Sequence, residues 1–379
     1  MAIEIPDDRT LKVTLENPTP FFLRLTALPA YLPQNQEFVE RQGERYAQST
    51  EALLYNGPYI LTDLAPPQGA TFAKNEDYWD KEYVDIERVE GKVVKDVSTA
   101  VNLHEAGELD VTELSTEYVN GYEGSPAFEP MVMFATNYLD MNQDSPTFCN
   151  ENIRKAMQVG FDRDALADKI LNDGSVGAEG FVPPGRILEA RESKRSARPP
   201  ARSWDGSTRS GPGRSTSRAS RRSARNRTLR CWSGTIAGSG TSGPSCSPVR
   251  GKARGQSRGE ALPFNNLVEQ TAAGNYGGSM AAYNDPMDFL KVWTTDSPLN
   301  QSGFSNAEYD RLVAKVETDP TRRFQHLAQA EKILIKDEAV LTPTFHVCFT
   351  RLIRPSVESL VFHPYGVFVD FKYASIRED

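Results

Sequence analysis

The sequence lacks a run of about 18 consecutive apolar residues, the length that a helix needs to cross a bilayer. Met1 is not followed by the basic and then apolar segments of a secretion signal. Histidine and cysteine are scarce, with four of each in 379 residues, and the cysteines have no metal-binding or redox spacing. These absences argue against a helical membrane protein and against a cysteine-based metal or redox centre.

Catalytic signatures are missing as well. The sequence contains no GxGxxG or GxxxxGK phosphate loop, no HExxH zinc motif, no GxSxG nucleophile elbow and no calcium-binding loop. The histidines are isolated from one another: His104 and His326 are predicted on solvated helix faces, and His346 is predicted to be packed inside the protein. No catalytic residue, metal site or cofactor is therefore predicted.

Strands and helices alternate in the first third of the chain. Residues 11–15 alternate apolar with polar side chains, which predicts a half-buried strand. A turn at Asn56 precedes the strand-like sequence YILTDL. Asp96 or Ser98 can cap a helix that Gly107 ends, and LDV then begins another strand. This alternation predicts an α/β fold.

Two long apolar runs also predict strands. They are residues 131–142, MVMFATNYLDMN, and residues 341–352, LTPTFHVCFTRL. On composition alone, the first run fits a plain core strand as well as it fits a strand that faces a ligand.

Two helices in tandem are predicted between Asn150 and Gly174. Asn150 can cap the first helix, whose apolar residues recur at intervals of three and four. Asp162 can cap the second, and Gly174 lies where a helix C-terminus favours a left-handed residue. The spacing predicts a pair packed on an apolar surface through Ile153, Ala156, Met157, Phe161, Leu166, Ile170 and Leu171.

Two more helices are predicted near the C-terminus. Ser305 and Glu308 have the spacing of a capping box, and Asp319 followed by Pro320 is typical of a second helix start. The predicted apolar positions are Tyr309, Leu312, Val313 and Val316 on the first helix, and Phe324, Leu327, Ala328 and Leu334 on the second.

The composition changes abruptly between residues 187 and 259. This segment consists mostly of Arg, Ser, Gly, Ala, Thr and Pro, and it contains neither Phe nor Tyr. Residues 186–258 carry a net charge of +15, so the rest of the chain carries −23 of the total −8. Because the segment has no apolar periodicity, it cannot offset an ordering cost of about 1 to 2 kcal/mol per residue. It is predicted to be disordered or poorly packed.

The helical pair carries a resemblance to a known family. The sequences NIRKAM, FDRDALADKIL and GFVPPG resemble those of the extracellular solute-binding proteins of ABC transporters, family 5, the oligopeptide- and dipeptide-binding group. Further stretches resemble the family in the same order: DDRTLKVTLENPTPFFL, NGPYIL, NEDYWD, STAVNLHEAGELD, YNDPMDFL and the chain after Ser305. The resemblance covers about four fifths of the chain.

The resemblance implies an α/β fold of the type II periplasmic-binding-protein architecture, with two lobes and a hinge. Residues 1–130 and 343–379 would form the first lobe. Residues 131–342 would form the second, larger ligand-binding lobe, interrupted by residues 187–259. Because the family has a secretion signal and further protein before the position of Met1, the N-terminal part is expected to be missing.

The resemblance also bears on the Arg-rich segment, for which three explanations compete. A reading-frame shift with later compensation is favoured, because the family pattern stops near Gly185 and returns near Leu262. A genuine disordered linker is the second explanation. A nucleic-acid-binding tract is the third and least favoured, because the segment lacks the interleaved aromatics that stack on bases.

The function implied is capture of oligopeptides, or a related solute, outside the cytoplasm and delivery to the permease subunits of an ABC transporter. A monomer with no cofactor and no nucleic-acid partner is expected. The strands at 131–142 and 341–352 correspond to the family's two crossings between lobes. The residues expected to line the ligand cleft are Asn137, Tyr138, Asp140, Tyr283, Asn284, Phe345 and His346.

One position departs from the family pattern. In peptide-binding members an aspartate precedes the aromatic residue of the YNDP-like motif and pairs with the free amine of the ligand, whereas here Ala282 precedes Tyr283. Asp285 is expected to cap the helix that follows Pro286. Amine anchoring is therefore in doubt, since a buried ammonium without a counter-charge is costly. A nonfunctional remnant and an Arg-rich nucleic-acid binder are the alternative functions.

Overall fold

The computed structural model describes residues 2–184, 228–233 and 275–377. In these residues the strands, in chain order, are β1 Ala2–Asp7, β2 Thr10–Thr14, β3 Tyr59–Ala65, β4 Gly69–Lys74, β5 Arg88–Val93, β6 Val111–Glu113, β7 Phe128–Asp140, β8 Val176–Gly177, β9 Thr228–Ser233, β10 Asn275–Met280, β11 Leu341–Ile353, β12 Val357–Glu358, β13 Val361–Phe362, β14 Val369–Asp370 and β15 Ser375–Ile376.

The helices of the same residues are α1 Phe22–Leu25, α2 Gln36–Gln42, α3 Val97–Glu105, α4 Thr116–Tyr122, α5 Glu151–Gly160, α6 Arg163–Ala165, α7 Met287–Leu290, α8 Ala307–Thr318 and α9 Arg323–Lys332. Helix α6 continues as a π-helix over Leu166–Leu171, and α9 continues as one over Ile333–Asp337. No helix in the described ranges is both long and apolar enough to cross a membrane.

A nine-stranded mixed sheet forms the centre of the molecule. Its strand order is β10-β7-β11-β6-β9-β5-β4-β3, and β8 pairs with β11 off this path. β9 is parallel to both β5 and β6, whereas the other pairings are antiparallel. Three two-stranded sheets, β1-β2, β12-β15 and β13-β14, complete the strands described. The α/β prediction is confirmed.

The two long strands predicted from the apolar runs are confirmed as β7 and β11. Each has 13 residues, and they pair antiparallel from Asp140 opposite Leu341 to Phe128 opposite Leu352. Every residue of β11 except Phe349 and Ile353 is buried. The pair is therefore the central ribbon on which the candidate site is placed.

Buried apolar residues of the described chain form three clusters, of which two show how distant parts of the chain pack together. One cluster joins β7 and β11 to α7, α8 and α9, and includes Phe181, Phe289, Trp293, Tyr309 and Leu341. Another joins early strands to the C-terminal tail through Ile86, Val89, Leu229 and Ala374. The C-terminal tail thus packs with the first part of the chain. The division into lobes at residues 130 and 342 stays a prediction.

The prediction of a disordered or poorly packed segment at residues 187–259 is wrong for residues 228–233. These six residues form β9, between β5 and β6, and Leu229 is completely buried against Ile86 and Val89. Leu229 and Cys231 follow the alternation of a strand, a signal too short to stand out from its Arg-rich surroundings. The remaining residues of the segment lie outside the described ranges.

The strand predicted at residues 11–15 is confirmed as β2, and its predicted half-burial holds for Val13 and Leu15 but not for Leu11. β2 pairs only with β1, in a hairpin separate from the main sheet. The side chains of Ile5 and Leu11 are exposed by 75% and 66%. Alternation of apolar residues predicts the strand but does not reveal whether a partner covers its apolar face.

The capped helix at Asn150 is confirmed, but its predicted buried face is wrong. The Asn150 side chain accepts a hydrogen bond from the Asn152 amide, whereas Ile153 and Met157 are exposed and Arg154 is buried. The Arg154 guanidinium donates to the backbone oxygens of Phe148 and Glu338, which makes its burial favourable. Its hydrogen bonds, rather than apolar periodicity, orient α5.

Two further predictions need correction. Helix α8 buries all four predicted positions, but Asn306 is its cap and Ser305 is not, because the Asn306 side chain accepts from the amides of Glu308 and Tyr309. His104 is buried on α3 rather than solvated, and burial lowers its pKa. His326 is half-buried and lies 3.4 Å from a carboxylate oxygen of Asp319.

Candidate functional site

The candidate site residues are carried by the ribbon β10-β7-β11 and by the loop after β10. Asn137 lies opposite Gly278 of β10 and Phe345 of β11 in the strand register. Side chains alternate between the two faces of a strand. Tyr138 and Asp140, two residues apart on β7, therefore share one face, and Asn137 lies on the opposite face. The sheet therefore divides the predicted residues between its two faces.

Tyr138 and Asp140 lie on the face that packs against the helices. The Tyr138 ring makes edge contacts with Phe181 and Trp293, at centroid distances of 5.1 and 5.7 Å. Burial and the nearby Asp140 carboxylate raise the pKa of Tyr138 to about 12. Burial raises the pKa of Asp140 to about 6, and its Oδ1 atom has no hydrogen-bond partner.

Three of the predicted residues have deeply buried side chains. Phe345 packs with Met133 and Leu166 in an apolar cluster. His346 Nδ1 lies 2.8 Å from the Thr136 hydroxyl, and burial lowers the pKa of this histidine to about 4. Asn137, Phe345 and His346 are exposed by 6%, 3% and 2%. The prediction that His346 is packed is confirmed.

Tyr283 and Asn284 lie in the loop between β10 and α7, in contact with α1. The Tyr283 ring stacks on Phe21 at a centroid distance of 5.1 Å and an interplanar angle of 15°. The Arg24 guanidinium donates a hydrogen bond to the backbone oxygen of Asn284. Asn284 Oδ1 is buried without a hydrogen-bond partner. Phe21 and Arg24 thus contact one side of this loop, called the motif loop below. The side chains of Tyr283 and Asn284 stay partly exposed.

Asp285 accepts a hydrogen bond from the Met287 amide at 3.0 Å, which confirms its predicted capping role. The sequence did not reveal its second role. Arg323 donates two hydrogen bonds to the same carboxylate, at 2.8 and 2.6 Å, and both side chains are buried. Arg24 lies 3.5 Å from it. Asp285 is already compensated by two cations and is not available to a ligand amine.

Asp288 is a second carboxylate at the motif, and sequence reasoning did not single it out. Its carboxylate accepts hydrogen bonds from the amides of Ala282 and Tyr283, at 2.5 Å for Ala282. It forms no ion pair with a Lys or Arg of the described chain, and burial raises its pKa. An acidic group therefore lies beside Ala282, the position where the family pattern has its aspartate.

The described residues contain no group of three or more His, Cys, Asp or Glu side chains that could hold a metal ion. The buried acids of the site contact backbone amides or arginine, and His346 pairs with a threonine hydroxyl. This arrangement offers hydrogen-bonding groups and charge for holding a solute.

The two long central strands and the polar motif loop beside them place the candidate site within an α/β fold. Residues 1–200 match the family described as bacterial extracellular solute-binding proteins, family 5. The chain therefore belongs to this family, as the sequence predicted. Members of the family are extracellular proteins that bind solutes for transport.

Curated relatives match over almost the whole chain. The dipeptide-binding protein DppE of Bacillus subtilis is 27% identical over 99% of this chain and 69% of its own length. The periplasmic oligopeptide-binding protein OppA of Salmonella typhimurium is 24% identical over 94% of this chain and 67% of its own.

Solved structures share the fold. The structure of Listeria monocytogenes OppA bound to peptide has a TM-score of 0.65 at 23% identity, covering 99% of this chain and 75% of the other. The unliganded, open form of the murein tripeptide-binding protein MppA has a TM-score of 0.68 at 19% identity, covering 99% and 73%. The predicted periplasmic-binding-protein architecture is confirmed.

Proposed function

We propose that this protein captures peptides outside the cytoplasm and delivers them to the permease of an ABC transporter. Family membership and relatives named for dipeptide and oligopeptide binding support the class of ligand. Binding without catalysis is the role proposed, because the candidate site holds backbone groups, aromatic rings and carboxylates, and a peptide can be recognised through its main chain. Closure of two lobes around the ligand would present a distinct form to the permease.

The proposed cleft consists of the seven residues predicted from the sequence together with Asp288. Tyr138, Asp140, Tyr283 and Asn284 are partly exposed and would contact the ligand with their side chains. Asn137, Phe345 and His346 are buried and would fix the geometry of the strands that carry the partly exposed residues. The proposed lobes are residues 1–130 with 343–379, and residues 131–342.

The proposal that the protein recognises the peptide amine rests on the carboxylate of Asp288. It lies beside Ala282, lacks a cation among the described residues and has a raised pKa because burial disfavours its charged form. A peptide ammonium at this position would supply the missing counter-charge. We therefore assign to Asp288 the pairing with the peptide amine, for which Ala282 has no carboxylate.

Calorimetric titration with trialanine and with N-acetyl-trialanine tests both parts of the proposal. Trialanine is expected to bind, and its acetylated form, which has no ammonium, is expected to bind at least about tenfold more weakly. Asp288→Asn should remove this difference, whereas Asp296→Asn, at an exposed loop position, should keep it. Failure of both peptides to bind would overturn peptide capture, and equal binding of the two would overturn only the role of Asp288.

A further inference from the structure

A cavity of about 450 Å³ lies at the other end of the β7-β11 ribbon from the candidate cleft. Its walls come from the start of β7, the end of β11 and the segment that follows β11. Pro126, Pro130, Leu360 and Phe362 give it apolar walls, and Glu129 and Arg351 are among its polar residues. It is large enough for a small organic molecule, since ligand pockets begin at roughly 300 Å³.

Arg351 is the unusual residue of this cavity. It is exposed by only 4%, and its buried Nη1 atom has no hydrogen-bond partner. Its guanidinium lies over the Phe362 ring, with Cζ 3.8 Å from the ring centroid. A ring face compensates a cation only in part, and a buried guanidinium with an unsatisfied donor is costly. The cavity therefore contains a positive group that lacks an anionic hydrogen-bond acceptor.

The protein itself does not supply this acceptor from the neighbouring strands. Glu113 of β6 and Glu129 of β7 are both directly opposite Arg351 in the strand register. Both carboxylates attract the Arg351 guanidinium electrostatically, but within the described chain neither forms an ion pair with it, and Nη1 stays without an acceptor. Arg354 also lines the cavity and adds a second positive charge to its wall.

We propose that this cavity is a second ligand site, which binds small organic acids by pairing their carboxylate with Arg351 and packing their apolar body on the cavity's apolar walls. A carboxylate matches the planar donor array of a guanidinium and is the acceptor that Nη1 lacks. An apolar body fits because Pro126, Pro130, Leu360 and Phe362 form part of the wall, beside the polar Glu129, Arg354 and Ser359.

This site is separate from the proposed peptide cleft. In the strand register Arg351 lies opposite Glu129, whereas Phe345 lies opposite Asn137, eight residues further along β7. At about 3.3 Å per residue the two sites are roughly 26 Å apart along the ribbon. One small ligand therefore cannot occupy both sites.

Calorimetric titration of the whole chain with N-acetyl-L-leucine tests the proposal, and N-acetyl-L-leucinamide is the matched neutral probe. The acid is expected to bind at least about tenfold more tightly than the amide, because only the acid forms a charge-assisted hydrogen bond with Arg351. Arg351→Gln should remove this preference. Arg311→Gln, which removes an exposed arginine paired with Glu308 on α8, should retain it.

Two results would overturn the proposal: equal binding or no binding of the acid and the amide to the native chain at millimolar concentration, or an unchanged preference in the Arg351→Gln variant. The comparison of the two probes uses the native chain and stays decisive if Arg351→Gln fails to fold. Titration with inorganic phosphate distinguishes a general anion site from the proposed one. Phosphate binding as tight as that of the acid would contradict a role for the apolar walls.

Discussion

Asp285 and Arg323 form an ion pair in which both side chains are almost fully buried, exposed by 0% and 6%. Removing Arg323 leaves the buried Asp285 carboxylate with only the half-exposed Arg24, 3.5 Å away, as a counter-charge, which costs more than the pair itself contributes. Arg323→Met is therefore expected to destabilise the protein by about 3 to 5 kcal/mol. The free energy of unfolding from urea titration measures the effect.

Arg311→Met is the matched control for this prediction. Arg311 pairs with Glu308 on the exposed face of α8, where an ion pair contributes less than about 1 kcal/mol. A similar loss of unfolding free energy in the two variants would show that the buried ion pair stabilises the protein no more than the exposed one does. The sequence did not reveal this pair, because residues 285 and 323 are 38 positions apart and no local pattern connects them.

A second prediction concerns the effect of Asp140 on how stability depends on pH. Its pKa is raised from 3.8 to about 6 in the folded protein, so between these values the folded state binds more protons than the unfolded state. Its contribution to stability consequently falls as the pH rises from 4 to 6, by at most about 3 kcal/mol. Asp140→Asn should abolish this part of the pH dependence.

The measurement is the unfolding free energy of native protein and Asp140→Asn across pH 4 to 7. The difference between the two proteins is the informative quantity, because His346 acts in the opposite direction. Its pKa is lowered to about 4, so its contribution to stability rises with pH between 4 and 6.5. A difference that does not change with pH would refute the assignment to Asp140.

At the scale of elements, the close approach of β10 to β7 depends on Gly277. A Cβ atom at this position would lie 2.8 Å from Cζ of Tyr138. The Tyr138 ring cannot move away easily, because Phe181 and Trp293 contact it. Gly277→Ala is therefore expected to destabilise the protein by about 1 to 3 kcal/mol through overpacking.

The matched control is Gly121→Ala in α4. No atom lies within 4 Å of a Cβ built at Gly121, and alanine is the better helix former by about 1 kcal/mol. Thermal unfolding should thus show a lower Tm for Gly277→Ala and an equal or higher Tm for Gly121→Ala. An unchanged Tm for Gly277→Ala would mean that β10 can shift away from β7.

The elements also show what the sequence can and cannot predict. Helix α8 buries Tyr309, Leu312, Val313 and Val316, as its periodicity predicts, because apolar residues dominate its contacts. Helix α5 has similar periodicity but buries Arg154, since distant carbonyl groups satisfy the guanidinium. Periodicity therefore predicts that a helix forms more reliably than it predicts which face is buried.

For the candidate site, the sequence predicted the elements that carry it but not the contacts of its side chains. Family resemblance placed residues on β7, β11 and the motif loop, and the structure brings these elements together. Burial of Phe345 and His346, and the carboxylate of Asp288 beside Ala282, depend on contacts between distant residues. Such contacts leave no local trace in a single sequence.

For the whole molecule, the contacts of α1 with the motif loop join the first part of the chain to the proposed second lobe. Phe21 stacks on Tyr283, and Arg24 contacts both Asn284 and Asp285. If the lobes are divided as proposed, these contacts cross the cleft and stabilise the closed arrangement. Their loss should shift the population toward an open form, which binds ligand less well.

Arg24→Gln is accordingly expected to weaken trialanine binding by up to about fivefold, the effect of losing a partly exposed ion pair worth about 1 kcal/mol. Arg88→Gln is the matched control: both arginine side chains are 48% exposed, but Arg88 pairs with Glu90 on its own strand. Small-angle X-ray scattering gives a test independent of binding, because opening increases the radius of gyration. If Arg24→Gln and Arg88→Gln have the same affinity and the same radius, α1 does not link the lobes, and the boundary proposed at residue 130 must be redrawn.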